Sequence, residues 1–361
     1  MPQNNTKKIG LIVDSLSFGG AEKSAAILSV ILENAGYKVV IIAIKPEVSY
    51  TFKGELIHLG KAVSNIKCIK QLQKILRFRK TIKANQNTIW IDYRMRNRKA
   101  MEFLLHGLVF KNVKLILTVH HYHIDYHIPK GNYFNQLYKK HTMTSVSKSI
   151  KERLLKEKNL ISTYVPNAVD FEAVSDKANE FSVNEDYIVA VGRLNNAVKQ
   201  FDVLIEAYAK SVLKTHQIKL FILGDGEDKF SLQKQITDLK LEDDVKLLGF
   251  MGNPYPYIKH AKYLVLTSKF EGLPMVILEA LNLKTPVVSY DCPSGPSEMI
   301  MHGKNGLLIE NQNFDALVDA MNDLILNPDK LNHLEKKSHD YLLPYSSKSH
   351  LNYWETLFKT L

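Results

Sequence analysis

Lys8 to Ile44 run KIGLIVDSLSFGGAEKSAAILSVILENAGYKVVIIAI, and the spacing of the apolar residues changes twice along them. Lys8–Asp14 is apolar without alternation, the pattern of a strand buried on both faces. Across Ala21–Ala35 the period becomes helical, with Ala25, Leu28, Ile31 and Leu32 on one side. Gly36 stands where a helix C′ residue belongs, free to take the left-handed conformation, and Tyr37–Ile44 is a second apolar run. A buried strand, a helix and another buried strand form a βαβ unit, so the sheet they begin is parallel.

The same rhythm continues. Strands are expected at Glu55–Leu59, Thr88–Asp92, Val113–Val119 and Thr142–Val146, with helical stretches between them. After Pro166 it restarts: strand Tyr187–Val191, helix Gln200–Val212, strand Ile218–Leu223 and helix Asp228–Leu239, then strands Val245–Leu248, Tyr263–Leu266 and Pro286–Ser289. Asn313 to Leu361 is almost wholly helical in pattern, broken at Pro328 and Pro344. With 361 residues the chain is too long for one ordinary core. The expected class is α/β, two doubly wound parallel-sheet domains with a cleft between them, residues 1–166 and 167–342, followed by a helical tail over 343–361.

Composition narrows the classes further. The hydrophobic fraction is 45%, and 17 Gly with 12 Pro exclude a collagen-like or low-complexity chain. Two cysteines, Cys68 and Cys292, make no disulfide framework or metal-ligand spacing, which suits a reducing compartment. No segment approaches the ~20 apolar residues of a membrane span. The Ile9–Val13 run behind Lys7 and Lys8 is shorter than the roughly 7–15 residues of a signal-peptide core. The expected location is therefore cytoplasmic, or peripheral on the cytoplasmic face of a membrane.

Charge is split between the halves. Residues 1–165 hold 28 Lys/Arg and 10 Asp/Glu, whereas residues 166–361 hold 20 and 27. The basic half is densest from Leu56 to Ile91, which contains no acid: Lys61, Lys67, Lys70, Lys74, Arg77, Arg79, Lys80 and Lys83 interleave with Ile66, Ile69, Leu72, Ile75, Leu76 and Phe78. Arg94, Arg96, Arg98 and Lys99 follow as a second basic cluster. Such a stretch reads as a solvated helix face, or as a face for an anionic membrane surface or a phosphorylated acceptor. No helix-turn-helix, zinc-finger or RNA-binding signature accompanies it, so nucleic acid is disfavoured.

In open α/β sheets ligands bind beyond the carboxyl ends of the strands. Four segments there carry chemistry. Phe18-Gly19-Gly20-Ala21-Glu22 opens the first helix, and its paired glycines allow close approach of an anion to the helix N-terminus. It lacks GxGxxG spacing, which disfavours a hydride-transfer enzyme. Val191-Gly192-Arg193-Leu194, then Lys199, brings a bidentate and a point-charge cation to one loop, suited to a diphosphate. Phe270-Glu271-Gly272-Leu273-Pro274, with Pro274 expected at helix position N1, places Glu271 before a helix and Glu279 inside it among Ile277, Leu278, Ala280 and Leu281. A carboxylate held there needs donors such as sugar or ribose hydroxyls. Asp291 to Glu298, then Gly303 and Gly306, offers backbone donors for a phosphate or sugar. Each segment alone also reads as ordinary turn, capping or surface chemistry.

Taken together and in order, Gly19-Gly20-Ala21-Glu22, Val191-Gly192-Arg193-Leu194 with Lys199, Leu223-Gly224-Asp225-Gly226, Glu271-Gly272-Leu273-Pro274 through Glu279, and Gly295 to Glu298 resemble the motifs of the retaining glycosyltransferases of family four, which have the GT-B fold. The resemblance covers nearly the whole chain. It implies two Rossmann-like domains facing a central cleft, the second binding a nucleotide-diphosphate sugar, usually a UDP-sugar. It also implies that the tail from Pro344 to Trp354 crosses back over the first domain. Arg193 and Lys199 would neutralise the diphosphate, Glu279 would hold the ribose, and Glu271 would bind donor-sugar hydroxyls. Gly19, Gly20, Gly192, Gly224, Gly272, Leu273 and Pro274 would line the donor. His120, after a first-domain strand in Thr118-Val119-His120, would contact the donor sugar near the reacting carbon, with His121 and His123 close by. The catalytic set so implied is His120, Arg193, Lys199 and Glu271. Two departures are visible: Lys23 where Arg is commoner, and Gln200 where Gly is usual.

The implied reaction is transfer of a sugar, with retention, to a glycan or polyprenyl-diphosphate-linked acceptor in cell-surface polysaccharide or glycoconjugate synthesis. As the bond to UDP breaks, the diphosphate gains charge, and cations aimed at it stabilise the transition state. No DxD motif is present, so neither a metal nor another cofactor is expected; Asp225-Gly226-Glu227 comes nearest to it. Two other classes stay open: a sugar-nucleotide epimerase or phosphorylase on the same architecture, and a non-catalytic nucleotide-sugar-binding protein. A phosphorylase needs a pyridoxal-phosphate lysine that no motif here identifies.

Overall fold

The structure is a computed structural model, described here for residues 7–17, 19–60 and 65–361, without the side chains of Lys67 and Cys68. Phe18 and Lys61, singled out above, therefore lie outside the described residues, as does the side chain of Lys67.

The chain divides into two units, one comprising residues 1–168 and 347–361 and the other residues 169–346. The first holds strands β1 (Lys8–Val13), β2 (Lys38–Ala43), β3 (Glu55–His58), β4 (Ile89–Asp92), β5 (Leu115–Val119), β6 (Thr142–Ser145) and β7 (Thr163–Tyr164). They form one parallel sheet in the order β3-β2-β1-β4-β5-β6-β7. Helices α1 (Gly20–Asn34), α2 (Lys67–Ala84) and α3 (Lys99–Leu108) make the crossovers nearest the sheet's centre. The second holds β8 (Tyr187–Val191), β9 (Lys219–Leu223), β10 (Val245–Gly249), β11 (Leu264–Leu266), β12 (Val287–Tyr290) and β13 (Gly306–Ile309), parallel in the order β10-β9-β8-β11-β12-β13. Strand order reverses at β1/β4 in the first unit and at β8/β11 in the second. These two switch points are where an open sheet leaves a crevice for a ligand.

Burial explains both sheets. Ile9, Leu11, Val13, Val39, Ile41 and Ala43 are buried against α1 through Ala25, Leu28 and Leu32. Gly10 pairs with Trp90 in register, and a Cβ there would overlap the indole, so only glycine lets the tryptophan lie across β1. Trp354, Leu357 and Phe358 of the last helix, Ser347–Phe358, join the same core, which is why the chain's end belongs to the first unit. A separate apolar core in the second unit gathers Ile188, Leu204, Leu220, Ile222, Val265, Val288 and Leu317.

The expected strands lie within two residues of the observed ends. The structure adds two short edge strands, β7 and β13, whose two and four residues carry little periodic signal. Three expectations are corrected. Gly306 opens β13 and packs against Val287, so it is a sheet residue and not a donor-rich turn. Pro274 is the N-cap of the helix Met275–Asn282, with ψ 97°, rather than its first helical residue. Arg94 and Arg96 are not a surface cluster: both are buried, Arg94 bonding Asp92 at 2.9 and 2.7 Å and Glu102 at 3.3 Å. Sequence spacing cannot separate them from Arg98 and Lys99, which are exposed, because burial here is set by the acids Asp92 and Glu102 around Arg94 and by backbone carbonyls around Arg96.

Candidate functional site

In the second unit the loops after β8 and β11 meet over the switch point. Lys199, at the end of the loop that leaves β8, places Nζ 2.5 Å from Glu271 Oε1 in the loop that leaves β11. Ser268 Oγ donates to the same carboxylate oxygen at 2.6 Å. Thr267, the residue after β11, donates its hydroxyl to the carbonyls of Lys199 and Gln200 at 2.9 and 3.0 Å, fixing the backbone from which the lysine reaches. Gln200 is left-handed, φ 53° and ψ 47°, and immediately precedes the helix Phe201–Lys210. This conformation is why glycine suits the position; here a glutamine adopts it, its Oε1 accepting from Gln312 at 2.9 Å.

Arg193 is solvent-exposed and pairs with Glu227 at 3.3 Å, the same carboxylate receiving Asn195 Nδ2 at 2.6 Å. The two cations expected on a diphosphate are therefore each paired with a carboxylate of the chain. The loop itself is tied by backbone bonds: Gly192 N–H to Leu223, Leu194 N–H to Asp225, and Lys199 N–H to Asn195. Gly224 sits at φ 147° with its Cα against the Gly192 carbonyl, where any side chain would overlap that oxygen. The approach of the β9 loop to the β8 loop thus requires glycine at 224.

The Glu271–Pro274 and Asp291–Glu298 segments, read separately in the sequence, are one construction. Glu271 N–H donates to Pro293, Ser294 Oγ donates to the Gly272 carbonyl at 2.6 Å, and Gly295, at φ 107°, closes against Pro274. Gly272 and Leu273 are held within that stitch. Glu279, 4% exposed, lies inside the helix that follows, flanked by the buried Ile277, Leu278, Ala280 and Leu281.

In the first unit Gly19 is the N-cap of α1 and Gly20 its first residue. Glu22 folds back so closely that a Cβ on Gly19 would meet its carboxylate. Burial raises the Glu22 carboxyl above the usual carboxylate range, although a bond to its own backbone N–H works the other way. The helix N-terminus expected to receive an anion thus already faces a carboxylate of the chain. His120 follows β5 directly, its ring 4.9 Å from that of Tyr93 beyond β4. Neither ring nitrogen has a hydrogen-bond partner, and both are buried. Burial, then the charges of Arg96 and of His350, lower its pKa to about 3, so the imidazole is neutral. His121 and His123 pack on each other and on Tyr126 instead. Among the described residues no three His, Cys, Asp or Glu side chains gather as a metal site, and no helix is long and apolar enough to cross a membrane.

Sequence reasoning missed Thr267, Ser268, Asn195 and Glu227 as parts of the site. Thr267 and Ser268 were legible in principle, being polar residues directly beyond a strand end and just before Glu271. Glu227 lies in a loop beyond a different strand, and nothing in its spacing ties it to Arg193.

Comparison with known proteins agrees with this geometry. Residues 172–340 match the model of the family described as glycosyl transferases group 1. The chain is 29% identical to the N-acetylgalactosamine-N,N'-diacetylbacillosaminyl-diphospho-undecaprenol 4-alpha-N-acetylgalactosaminyltransferase of Campylobacter jejuni, over 90% of this chain and 92% of that one. It is 26% identical to an uncharacterized glycosyltransferase of Haemophilus influenzae, over 97% and 99% of the two chains. Among solved structures, Anabaena HepE in complex with UDP and glucose superposes with a TM-score of 0.79 at 16% identity, over 98% of this chain and 100% of that one, a likeness of fold. Residues 172–340 thus match the glycosyl transferases group 1 family, and the chain around them has the two-sheet GT-B fold of the solved glycosyltransferases.

Proposed function

We propose that the protein transfers a sugar from a nucleotide diphosphate, a UDP-sugar, to a glycan or lipid-linked acceptor in cell-surface polysaccharide or glycoconjugate synthesis, with retention of configuration and no metal. The observation that carries this reading is the Lys199–Glu271 pair astride the β8/β11 switch point. A diphosphate arriving there competes with Glu271 for the lysine, and Arg193 closes on it from the exposed side of the same loop. The released Glu271 carboxylate then accepts from donor-sugar hydroxyls, and Glu279 from the ribose. As the bond from sugar carbon one to the diphosphate breaks, the electron pair leaves with UDP and its charge grows beside Lys199 and Arg193. Stabilising that growth lowers the barrier. The acceptor hydroxyl oxygen bonds to carbon one and passes its proton to the departing diphosphate oxygen. Neutral His120 is assigned to the donor sugar near that carbon. The Campylobacter relative is named for a diphospho-undecaprenol acceptor and an alpha product, which supports a lipid-linked acceptor and retention here.

The acceptor side also draws on α2. Phe78 and Ile82 turn inward, while Ile69, Leu72 and Leu76 lie outward, flanked by the exposed Lys70, Arg77, Arg79, Lys80 and Lys83. Phe103, Leu104 and Leu108 are exposed on α3, and Phe103 meets the exposed Tyr133 at 5.8 Å. Outward apolar side chains set among cations suit the boundary of an anionic bilayer.

A thermal-shift panel of UDP-, GDP- and ADP-sugars tests the donor. A UDP-sugar at 100 Kd stabilises the binding state by about 2.7 kcal/mol. Product analysis then reads the α-linkage and activity in excess chelator. If no nucleotide diphosphate raises Tm, the proposal fails. A β-linked product from an α-linked donor would remove retention, and full loss of transfer with chelator would remove metal independence.

A further inference from the structure

Arg96 is completely buried, and its guanidinium is spent almost entirely on backbone carbonyls. Nε donates to His127 O at 3.1 Å, Nη1 to Asp92 O at 2.9 Å and Arg94 O at 3.2 Å, and Nη2 to Thr118 O at 2.6 Å. The Asp92 carboxylate lies 3.7 Å from Nη1, close enough to balance the charge. The Arg96 backbone N–H donates to Tyr126 O at 2.8 Å. These contacts gather three places in the first unit: the end of β4, the end of β5, and the turn that follows β5. Thr118 and His127 bracket His120, and His127 Nε2 in turn accepts the His120 backbone N–H at 3.3 Å. Thr118 is pinned a second time, its hydroxyl donating to Asp92 O at 2.9 Å.

A planar fork with several fixed donors holds such a set of carbonyls where a lysine could satisfy only part of it. The held segment ends on an imidazole whose two ring nitrogens are buried and unpartnered, an unfavourable arrangement of the kind proteins keep where a ligand completes it. The Arg96 charge also helps keep that imidazole neutral.

We infer that Arg96 is a positioning residue for His120, clamping both ends of the segment that carries it. The inference rests on the proposed role of His120 at the donor sugar. In this arrangement Arg96 touches no substrate and acts only through the placement of the His120 ring.

The test is a double-mutant cycle with steady-state kinetics on the full chain, using the UDP-sugar found by thermal shift. R96K keeps the cation and loses the fork. It is expected to lower kcat about tenfold or more with KM for the UDP-sugar changed less than twofold, and with the UDP-induced rise in Tm unchanged. On an H120A background R96K is expected to cost nothing further. If R96K is fully active while H120A is inactive, or if its loss is undiminished on the H120A background, the inference is overturned. Full activity of H120A alone sinks the role of His120 itself, a separate outcome. Should R96K fail to fold, H127L tests the same chain of contacts by removing the acceptor of the His120 N–H. The same kcat loss supports the clamp, and unchanged kcat overturns it.

Discussion

Lys199 Nζ and Glu271 Oε1 lie 2.5 Å apart and join the loops beyond β8 and β11 where the strand order of the second sheet reverses. The pair makes the two residues unequal toward an incoming diphosphate: one attracts it, the other competes for the attraction. K199A is therefore expected to weaken UDP binding at least tenfold and to lower kcat/KM by ~10²–10³, roughly 3–4 kcal/mol by analogy with a lost oxyanion donor. E271Q frees the lysine from its partner, so it leaves UDP affinity equal or tighter while transfer falls. Calorimetric titration of UDP into both variants checks this, and equal losses of affinity would contradict it.

Gln200 supplies a prediction about stability. A left-handed L-residue costs about 1–2 kcal/mol, which glycine would recover. Glycine gives back roughly 0.5–1 kcal/mol in chain entropy. It also loses the bond from Gln312, about 1 kcal/mol. The terms nearly cancel, so Q200G is expected to melt within a few degrees of the parent. Q200V places a β-branched side chain at φ 53° and is expected to lose more than ~2 kcal/mol. Scanning calorimetry of both variants decides, and a large rise in Tm for Q200G would show that the hydrogen bond contributes nothing.

How much of this was legible beforehand depends on whether a feature is local. The βαβ alternation and the loops that carry Gly192, Lys199, Glu271 and Glu279 follow from period and position, which neighbouring residues report. The pairings do not. Arg94 and Arg96 look like their exposed neighbours Arg98 and Lys99, yet Asp92 and Glu102 draw Arg94 inward, and the carbonyls of Thr118 and His127 draw Arg96. Ser294 bonding Gly272 merges two motifs 22 positions apart, a closure visible only once β11 and β12 are paired. The resemblance proposes residues for the candidate site; the hydrogen bonds that aim them come from tertiary structure.

Acid stability should expose the first unit. Burial lowers His106 to about 3, His350 to about 4 and His127 well below 6.5. All three are buried in that unit. A histidine held neutral when folded, but near 6.5 when unfolded, lets the unfolded chain bind the extra proton. Its contribution is therefore complete above pH 6.5 and is lost as pH falls toward the folded values. Each costs about 2 kcal/mol at pH 5, against a typical total of roughly 5–15 kcal/mol. Glu22 and Glu102, both raised by burial, work in the opposite sense, but they are two groups against the buried histidines, and Glu102 is held by Arg94. Tm is expected to fall steeply between pH 6.5 and 5, with H350F flattening the slope; a Tm independent of pH across that window would contradict the assignment.

The outward face of α2 gives the last expectation. Ile69, Leu72 and Leu76 are 43%, 57% and 54% exposed, so replacing Leu72 and Leu76 by Glu removes nothing the fold uses. Toward a bilayer the same change matters, because each leucine buried from water contributes about 1.5–3 kcal/mol and each nearby cation ~1 kcal/mol. Co-sedimentation with phosphatidylglycerol–phosphatidylcholine vesicles is expected at low salt, to weaken with added salt, and to fall about a hundredfold in affinity for L72E/L76E at unchanged Tm. Charge reversal at Arg79 and Lys80 is expected to remove the salt dependence and leave a weaker, apolar residue of binding. Binding that ignores lipid charge, salt and these side chains would mean that α2 is a solvated helix whose basic residues serve only solubility. The acceptor would then have to reach the protein without the membrane's help.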